Sequence, residues 1–158
     1  MKQAESAVPW PDDVYFFATC VVDQFFPGAG MDAITLLERE GIRVHFPDEQ
    51  TCCGQPAYTS GFPDEARKVA AHQLTLFPND WPVVVPSGSC AGMMKHHYPT
   101  LFAADPVRKA QAEALSARIY ELTDFLVNVL NFQPEDKGSD CTVVLHTSCS
   151  ARREMGVH

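Results

Sequence analysis

Apolar positions along the chain form short continuous runs separated by stretches of helical spacing. Val14-Tyr15-Phe16-Phe17-Ala18 is β-branched and aromatic, and it predicts a buried strand ending at Thr19-Cys20. After the Pro27-Gly28-Ala29-Gly30 loop, Met31, Ile34, Leu36 and Leu37 recur at helical spacing up to Gly41, a C-cap candidate. Ile42-Arg43-Val44-His45-Phe46 reads as a second strand stopped by Pro47, and a loop then carries Thr51-Cys52-Cys53-Gly54-Gln55-Pro56. A helix is predicted over 64–77, with Val69, Leu74 and Phe77 on one side. A third strand follows at Pro82-Val83-Val84-Val85-Pro86, closed by Ser87-Gly88-Ser89-Cys90. From Asp105 to about Asn131 the pattern is helical in two pieces, with Ala110, Leu115, Ile119 and Leu122 facing the sheet. A surface loop spans 131–138, and Cys141-Thr142-Val143-Val144-Leu145-His146 reads as a fourth strand before Thr147-Ser148-Cys149.

Strands alternating with helices predict an α/β fold, a Rossmann-like three-layer domain with a mainly parallel sheet. Cys20, Cys90 and Cys149 each follow a predicted strand, and the Cys52-Cys53 pair lies a few residues past another. In a parallel sheet these ends share one edge, where ligands of open α/β folds bind. Phe16-Phe17-Ala18-Thr19-Cys20 and Val144-Leu145-His146-Thr147-Ser148-Cys149 also form a faint repeat of apolar strand, threonine and cysteine. Residues 1–12 read as a flexible lead-in, 13–139 as a first cysteine-rich α/β repeat, and 140–158 as the start of an incomplete second one. On this reading the chain is truncated.

Composition narrows the function classes. The 158 residues are 46% hydrophobic and 20% charged, ordinary for a globular protein, and a chain of this size buries roughly 69% of its unfolded surface. A net charge of −8 excludes a basic nucleic-acid footprint. No apolar run reaches the roughly 18–20 residues of a membrane span, and the N-terminus lacks a secretory core, so a cytoplasmic location is expected. Six cysteines in a reduced compartment point to metal or redox chemistry rather than a disulfide framework.

Their spacing carries the chemistry. Thirty-one residues separate Cys20 from Cys52, and 36 separate Cys53 from Cys90. Thiolates are soft ligands, and four of them suit either a cubane iron–sulfur cluster or a tetrahedral zinc. Gly54 would relieve crowding after the cysteine pair and permit an unusual backbone dihedral. A third option is a metal-free thiol protein with Cys52 and Cys53 as its redox pair.

This arrangement resembles the cysteine-rich CCG domain of the heterodisulfide reductase B-subunit superfamily, and within it most resembles the lactate-utilization iron–sulfur subunits, also described as glycolate-oxidase-like. The resemblance rests on Ala18-Thr19-Cys20-Val21-Val22-Asp23, Cys52-Cys53-Gly54-Gln55-Pro56-Ala57-Tyr58, Pro86-Ser87-Gly88-Ser89-Cys90 and Tyr120-Glu121-Leu122-Thr123-Asp124-Phe125. It implies an electron-transfer subunit of a lactate-oxidising complex, oxidoreductase in class and inactive alone. Its partners would be the other subunits, with homo-oligomerisation left open. By the same resemblance Cys20, Cys52, Cys53 and Cys90 would hold a 4Fe-4S cluster, or zinc in the alternative of a structural assembly domain. Cys149 would be the first metal ligand of a second site. The superfamily's fuller motif ends Cys-x-x-Cys, whereas this chain reads Cys90-Ala91-Gly92-Met93, which favours a four-thiolate cubane over a noncubane cluster.

Simpler roles are assigned to other residues. Cys141 is expected to pack in the core, and Met93-Met94 under the cysteine loop. Of His96-His97, one is a candidate for holding an anionic substrate or tuning the site through a hydrogen bond, against simple exposure. His146 is expected to be buried and hydrogen-bonded, and Arg152 and Arg153 solvated. Ser87-Gly88-Ser89 lacks the lysine of a phosphate-cradling loop.

Overall fold

Alternation within the first strand sets the layering. In β1 (Asp13–Phe16), Val14 and Phe16 point to one face of the sheet, whereas Tyr15 and the following Phe17 point to the other. The computed structural model describes residues 10–135, 138, 140–142 and 144–157. Its sheet is parallel throughout, in the order β2-β1-β3-β4. β2 is Arg43–His45, β3 is Val83–Val85 and β4 is Ile119–Glu121. One face packs Ala66 and Ala70 of α4 (Pro63–Gln73) and Ala112 and Leu115 of α7 (Pro106–Ser116) onto Tyr15, Phe17, Val83, Val85 and Ile119. The other packs Ala33 and Leu37 of α2 (Pro27–Arg39), with Phe125, Leu126 and Leu130, onto Val14, Phe16 and Val84. This is the expected three-layer α/β fold. Among the described residues no helix is long and apolar enough to cross a membrane.

Two expectations are corrected. Ile119-Tyr120-Glu121 is not helical; it is β4, pairing with β3 from Val83↔Ile119 to Val85↔Glu121. Leu115, Ile119 and Leu122 keep helical spacing by coincidence, because α7 ends at Ser116 and α8 (Leu122–Asp124) begins at once after the strand. The Glu121 side chain caps that start, accepting from Thr123 N at 2.8 Å and Asp124 N at 3.2 Å. Conversely, the described residues of 141–146 form no strand. Val144 and Leu145 are 93% and 82% exposed, since a β-rich run becomes a strand only where a partner edge accepts it. Cys141 and His146 are therefore exposed rather than buried. Val143 lies outside the described residues.

Asp13 ties the sheet edge together. Its carboxylate accepts from Arg43 Nε at 2.9 Å and Nη2 at 2.6 Å, and lies 2.7 Å from His45 Nε2. These hydrogen bonds, Arg43 first and then His45, hold its pKa well below the usual carboxylate range. A depressed folded pKa means the contribution is complete above about pH 4, where the unfolded carboxyl ionises, and fades as pH falls below that. Asp13→Asn is expected to lower the thermal midpoint at pH 7, and the gap to the parent protein should narrow on acidification. Paired melts at pH 7 and pH 3 would check both.

Candidate thiol site at the carboxyl edge of the sheet

The chain turns from β1 to β2 on one side and later places β3 on the other, so the strand order reverses between β1 and β3. That switch point is where loops leave the sheet in opposite directions and open a crevice. Cys20 opens α1 (Cys20–Phe25) just after β1, and Cys90 lies in α5 (Gly88–Gly92) just after β3. Cys52 and Cys53 come from the loop between β2 and α3 (Gln55–Thr59).

Local structure aims each thiol. Thr19 caps α1, its hydroxyl accepting from Val22 N at 3.3 Å, but it does so at φ 58°, ψ 144°, a backbone region that a β-branched residue rarely enters. Gly54 follows the cysteine pair at φ +85°; a Cβ there would lie 3.3 Å from Ala66 O and 3.5 Å from the Val69 side chain. Both the dihedral and the space therefore require glycine. Gln50 fastens the cysteine loop to the end of β1. Its Nε2 donates to Phe16 O at 2.8 Å, and its Oε1 accepts from Ala18 N at 3.1 Å. The fully buried Gln73 donates to Thr51 Oγ1 at 2.7 Å.

Tyr98 comes next. It follows a π-helical turn (Met93–His97) and starts α6 (Tyr98–Leu101); buried, it donates from its hydroxyl to Cys53 O at 2.9 Å. Met93 and Met94 pack in the same core as Cys53 and Cys90, as expected. Tyr98→Phe would leave the Cys53 carbonyl without its donor and should cost about 1–3 kcal/mol, measurable by urea denaturation.

The four thiols form a closed ring of interactions. Cys20 lies close enough to Cys52 and Cys90, and Cys53 to Cys90 and Cys52, for the ionisation of each to be coupled to its neighbours. Burial, then the Cys52 contact, raises the Cys20 pKa. Cys53 is driven up by its interaction with Cys90 and by burial. Cys90 moves the other way, to about 7, because Cys53, Ser87 and Ser89 all stabilise its thiolate against the penalty of burial. Among the described residues no three His, Cys, Asp or Glu side chains already converge as a single-ion site.

A cavity of about 400 Å³ is lined by Cys20, Cys52, Asp23, Gln24, Phe46, Asp48 and neighbouring residues. No Lys, Arg or His is among its described lining residues.

The remaining candidates lie elsewhere. Cys149 is exposed at the head of α9 (Cys149–Arg153) and does not join the ring; Arg152 and Arg153 are exposed. The helix itself packs closely on α5, where a Cβ at Gly88 would meet Ala151 at 2.6 Å. His96 Nε2 lies 2.8 Å from Glu154 O, and His97 Nε2 lies 3.8 Å from Glu154 Oε1 and stacks at a tilt against Tyr58. Sequence reading did not find Gln50, Gln73 or Tyr98, or the thiolate contacts of Ser87 and Ser89. The hydroxyls flanking Cys90 were visible as a motif; Gln50 and Tyr98 act across long separations that leave no local signal.

Comparison with known proteins gives a consistent picture. The family model described as a cysteine-rich domain, CCG, matches residues 14–95. Lactate utilization protein A from Shouchella clausii is 46% identical over 143 residues, covering 89% of this chain and 59% of that protein. The protein of the same name from Geobacillus kaustophilus is 44% identical over 144 residues, covering 91% and 60%. Lactate utilization protein A 2 from Bacillus cereus is 40% identical over 144 residues, with the same coverage of 91% and 60%. The chain thus spans about three-fifths of the length of these curated relatives. No solved structure matches it.

Proposed function

Because the chain belongs to the CCG cysteine-rich domain family, we propose that it is an iron–sulfur electron-transfer subunit of a lactate-oxidising system, working in the cytoplasm with partner subunits. The observation that carries this reading is the gathering of four cysteines in the segments that follow β1, β2 and β3, at the switch point of the sheet. An all-thiol donor set fits an iron–sulfur cluster, and a cubane needs one thiolate at each of its irons. Cys20, Cys52, Cys53 and Cys90 would hold it. When bound, such a group supplies one-electron transfer at a potential set by charge, burial and hydrogen bonds to sulfur.

The chain's own residues provide those levers. Gly54 N donates to Cys52 Sγ at 3.4 Å, and the Ser87 and Ser89 hydroxyls reach Cys90. Cys53 and Cys90 are buried, which keeps solvent from half of the set, while Cys20 and Cys52 face the cavity. Asp23 and Asp48 make that cavity a poor host for an anionic 2-hydroxy acid, because like charges repel. The substrate would then be oxidised on a partner, and this chain would pass electrons onward. The names of the relatives support the lactate assignment.

Anaerobic reconstitution tests the reading, with iron, sulfide and zinc quantified and EPR recorded on the reduced protein. About four irons and four sulfides per chain are expected. About one zinc and no sulfide would replace the relay with a structural metal domain.

A further inference from the structure

The short helix that opens with Cys20 leaves its apolar side chains in water. α1 buries none of its residues, although Val21, Val22 and Phe25 make it apolar. Six residues are too few for a helix to stand without packing, and the seat of α1 on the fold is narrow. Val22 meets α2 at Gly30, where an added Cβ would lie 3.0 Å from Val22 Cγ1. Val21 and Phe25, four apart and so on one side of the helix, are 52% and 71% exposed. Phe26, which joins α1 to α2, is 61% exposed, and Met31 on α2 is exposed as well. Cys20 and Gln24 take the neighbouring side and line the cavity together with the exposed Phe46. The apolar surface therefore begins at the rim of the thiol cavity. A cluster of this kind marks an interaction site, as a scatter of single exposed residues does not.

Charge decides what covers it. Residues 19–38 carry Asp23, Asp32 and Glu38 and no Lys, Arg or His, and Asp48 and Glu49 stand exposed just after Phe46. An apolar centre with an all-acidic border repels a second copy of the same face, because a two-fold contact sets like charges against each other. It repels nucleic acid and anionic lipid for the same reason. The complementary occupant is a protein surface whose apolar centre is ringed by Lys or Arg. We propose that α1, the start of α2 and Phe46 form the docking face for a basic protein partner, seated over the mouth of the thiol cavity. A partner placed there stands against the wall that Cys20 and Cys52 contribute. The proposal deepens the electron-transfer reading and rests on it only for why a partner comes to this rim. Electron-transfer encounters use small interfaces, which suits a patch centred on a few side chains, and Asp23, Asp32 and Asp48 would steer the approach.

The test uses the full chain under argon, both metal-free and reconstituted, with mitochondrial cytochrome c as the probe. Its lysines ring an apolar haem edge, and it is kept ferrous so that it takes no electron from the chain. Isothermal titration calorimetry should show a complex with both preparations, weakened roughly tenfold or more as salt rises from about 20 mM to about 200 mM. Phe25→Ser with Phe26→Ser should weaken binding roughly tenfold. Serine suits the place of Phe26 at the head of α2, and circular dichroism confirms folding. Asp23→Lys with Asp48→Lys, both exposed, should abolish the complex independently of the first variant. Val107→Ser, 70% exposed on α7 across the sheet from α2, should leave it unchanged. Cytochrome c with succinylated lysines should not bind. Absence of a complex at low salt, or a complex that neither patch variant weakens, would overturn the proposal. So would a dimer in analytical ultracentrifugation that the phenylalanine double variant dissolves, since the occupant is then a second copy. Footprinting that finds the segment matching α1 already covered in the longer Shouchella clausii relative alone would overturn it too. A chain that binds the probe but never retains iron would sink the cluster reading alone, and iron retained by a chain that binds no probe would sink this inference alone.

Discussion

Cys53→Ser is expected to reduce retained iron from about four per chain to near zero after anaerobic reconstitution, while Cys149→Ser leaves it unchanged. The contrast follows from placement. Cys53 is 1% exposed, shares the core with Cys90 and is held by Tyr98 through its carbonyl. Serine there removes the soft donor and leaves a hydroxyl that binds iron poorly. Cys149 stands in solvent at the head of α9, outside the ring. Iron and sulfide assays on both variants, beside circular dichroism to confirm folding, would check this. Equal loss of iron in the two variants would contradict the assignment of the site.

Gly54→Ala should be strongly damaging for a single added methyl. The residue sits at φ +85°, which alone costs an L-residue about 1 kcal/mol or more. Its Cβ would also press on Ala66 O at 3.3 Å, a backbone atom of α4 that cannot swing aside. Together these predict a loss of about 2–3 kcal/mol, or roughly 4–12 °C in thermal midpoint for a domain of this size. Because the strain falls beside Cys53, metal retention should drop with stability. Gly28→Ala, where no atom lies within 4 Å of the added carbon, is the matched control.

The parts of the fold that sequence made legible are those with undivided local signals. Val14–Phe17 and Val83–Val85 are dense in β-branched and aromatic side chains and became the two central strands. The thiol set was legible for another reason: cysteines are scarce, and their positions after strands become neighbours once the sheet is parallel. β4 was hidden because a three-residue strand flanked by helices carries too few residues to break a helical period. The run at 141–146 misled because strand propensity describes what a segment would do at a sheet edge, and not whether an edge receives it. The π-helical turns and the Gln50 clamp are products of tertiary packing, with no local pattern to show them.

The strand order also sets a timetable. β1 lies between β2 and β3, so its two neighbours are emitted from the ribosome one after the other on opposite sides. A nascent chain that has made β2 and the cysteine loop after it holds three of the four thiols, with β3 still missing from the flank of β1. Cys90 arrives only after the second crossover has docked β3. Long-range parallel pairing is the slow part of such a topology, so the complete thiol ring marks a chain whose central sheet has closed. A metal-delivery factor that requires all four thiols would thereby pass over half-made protein.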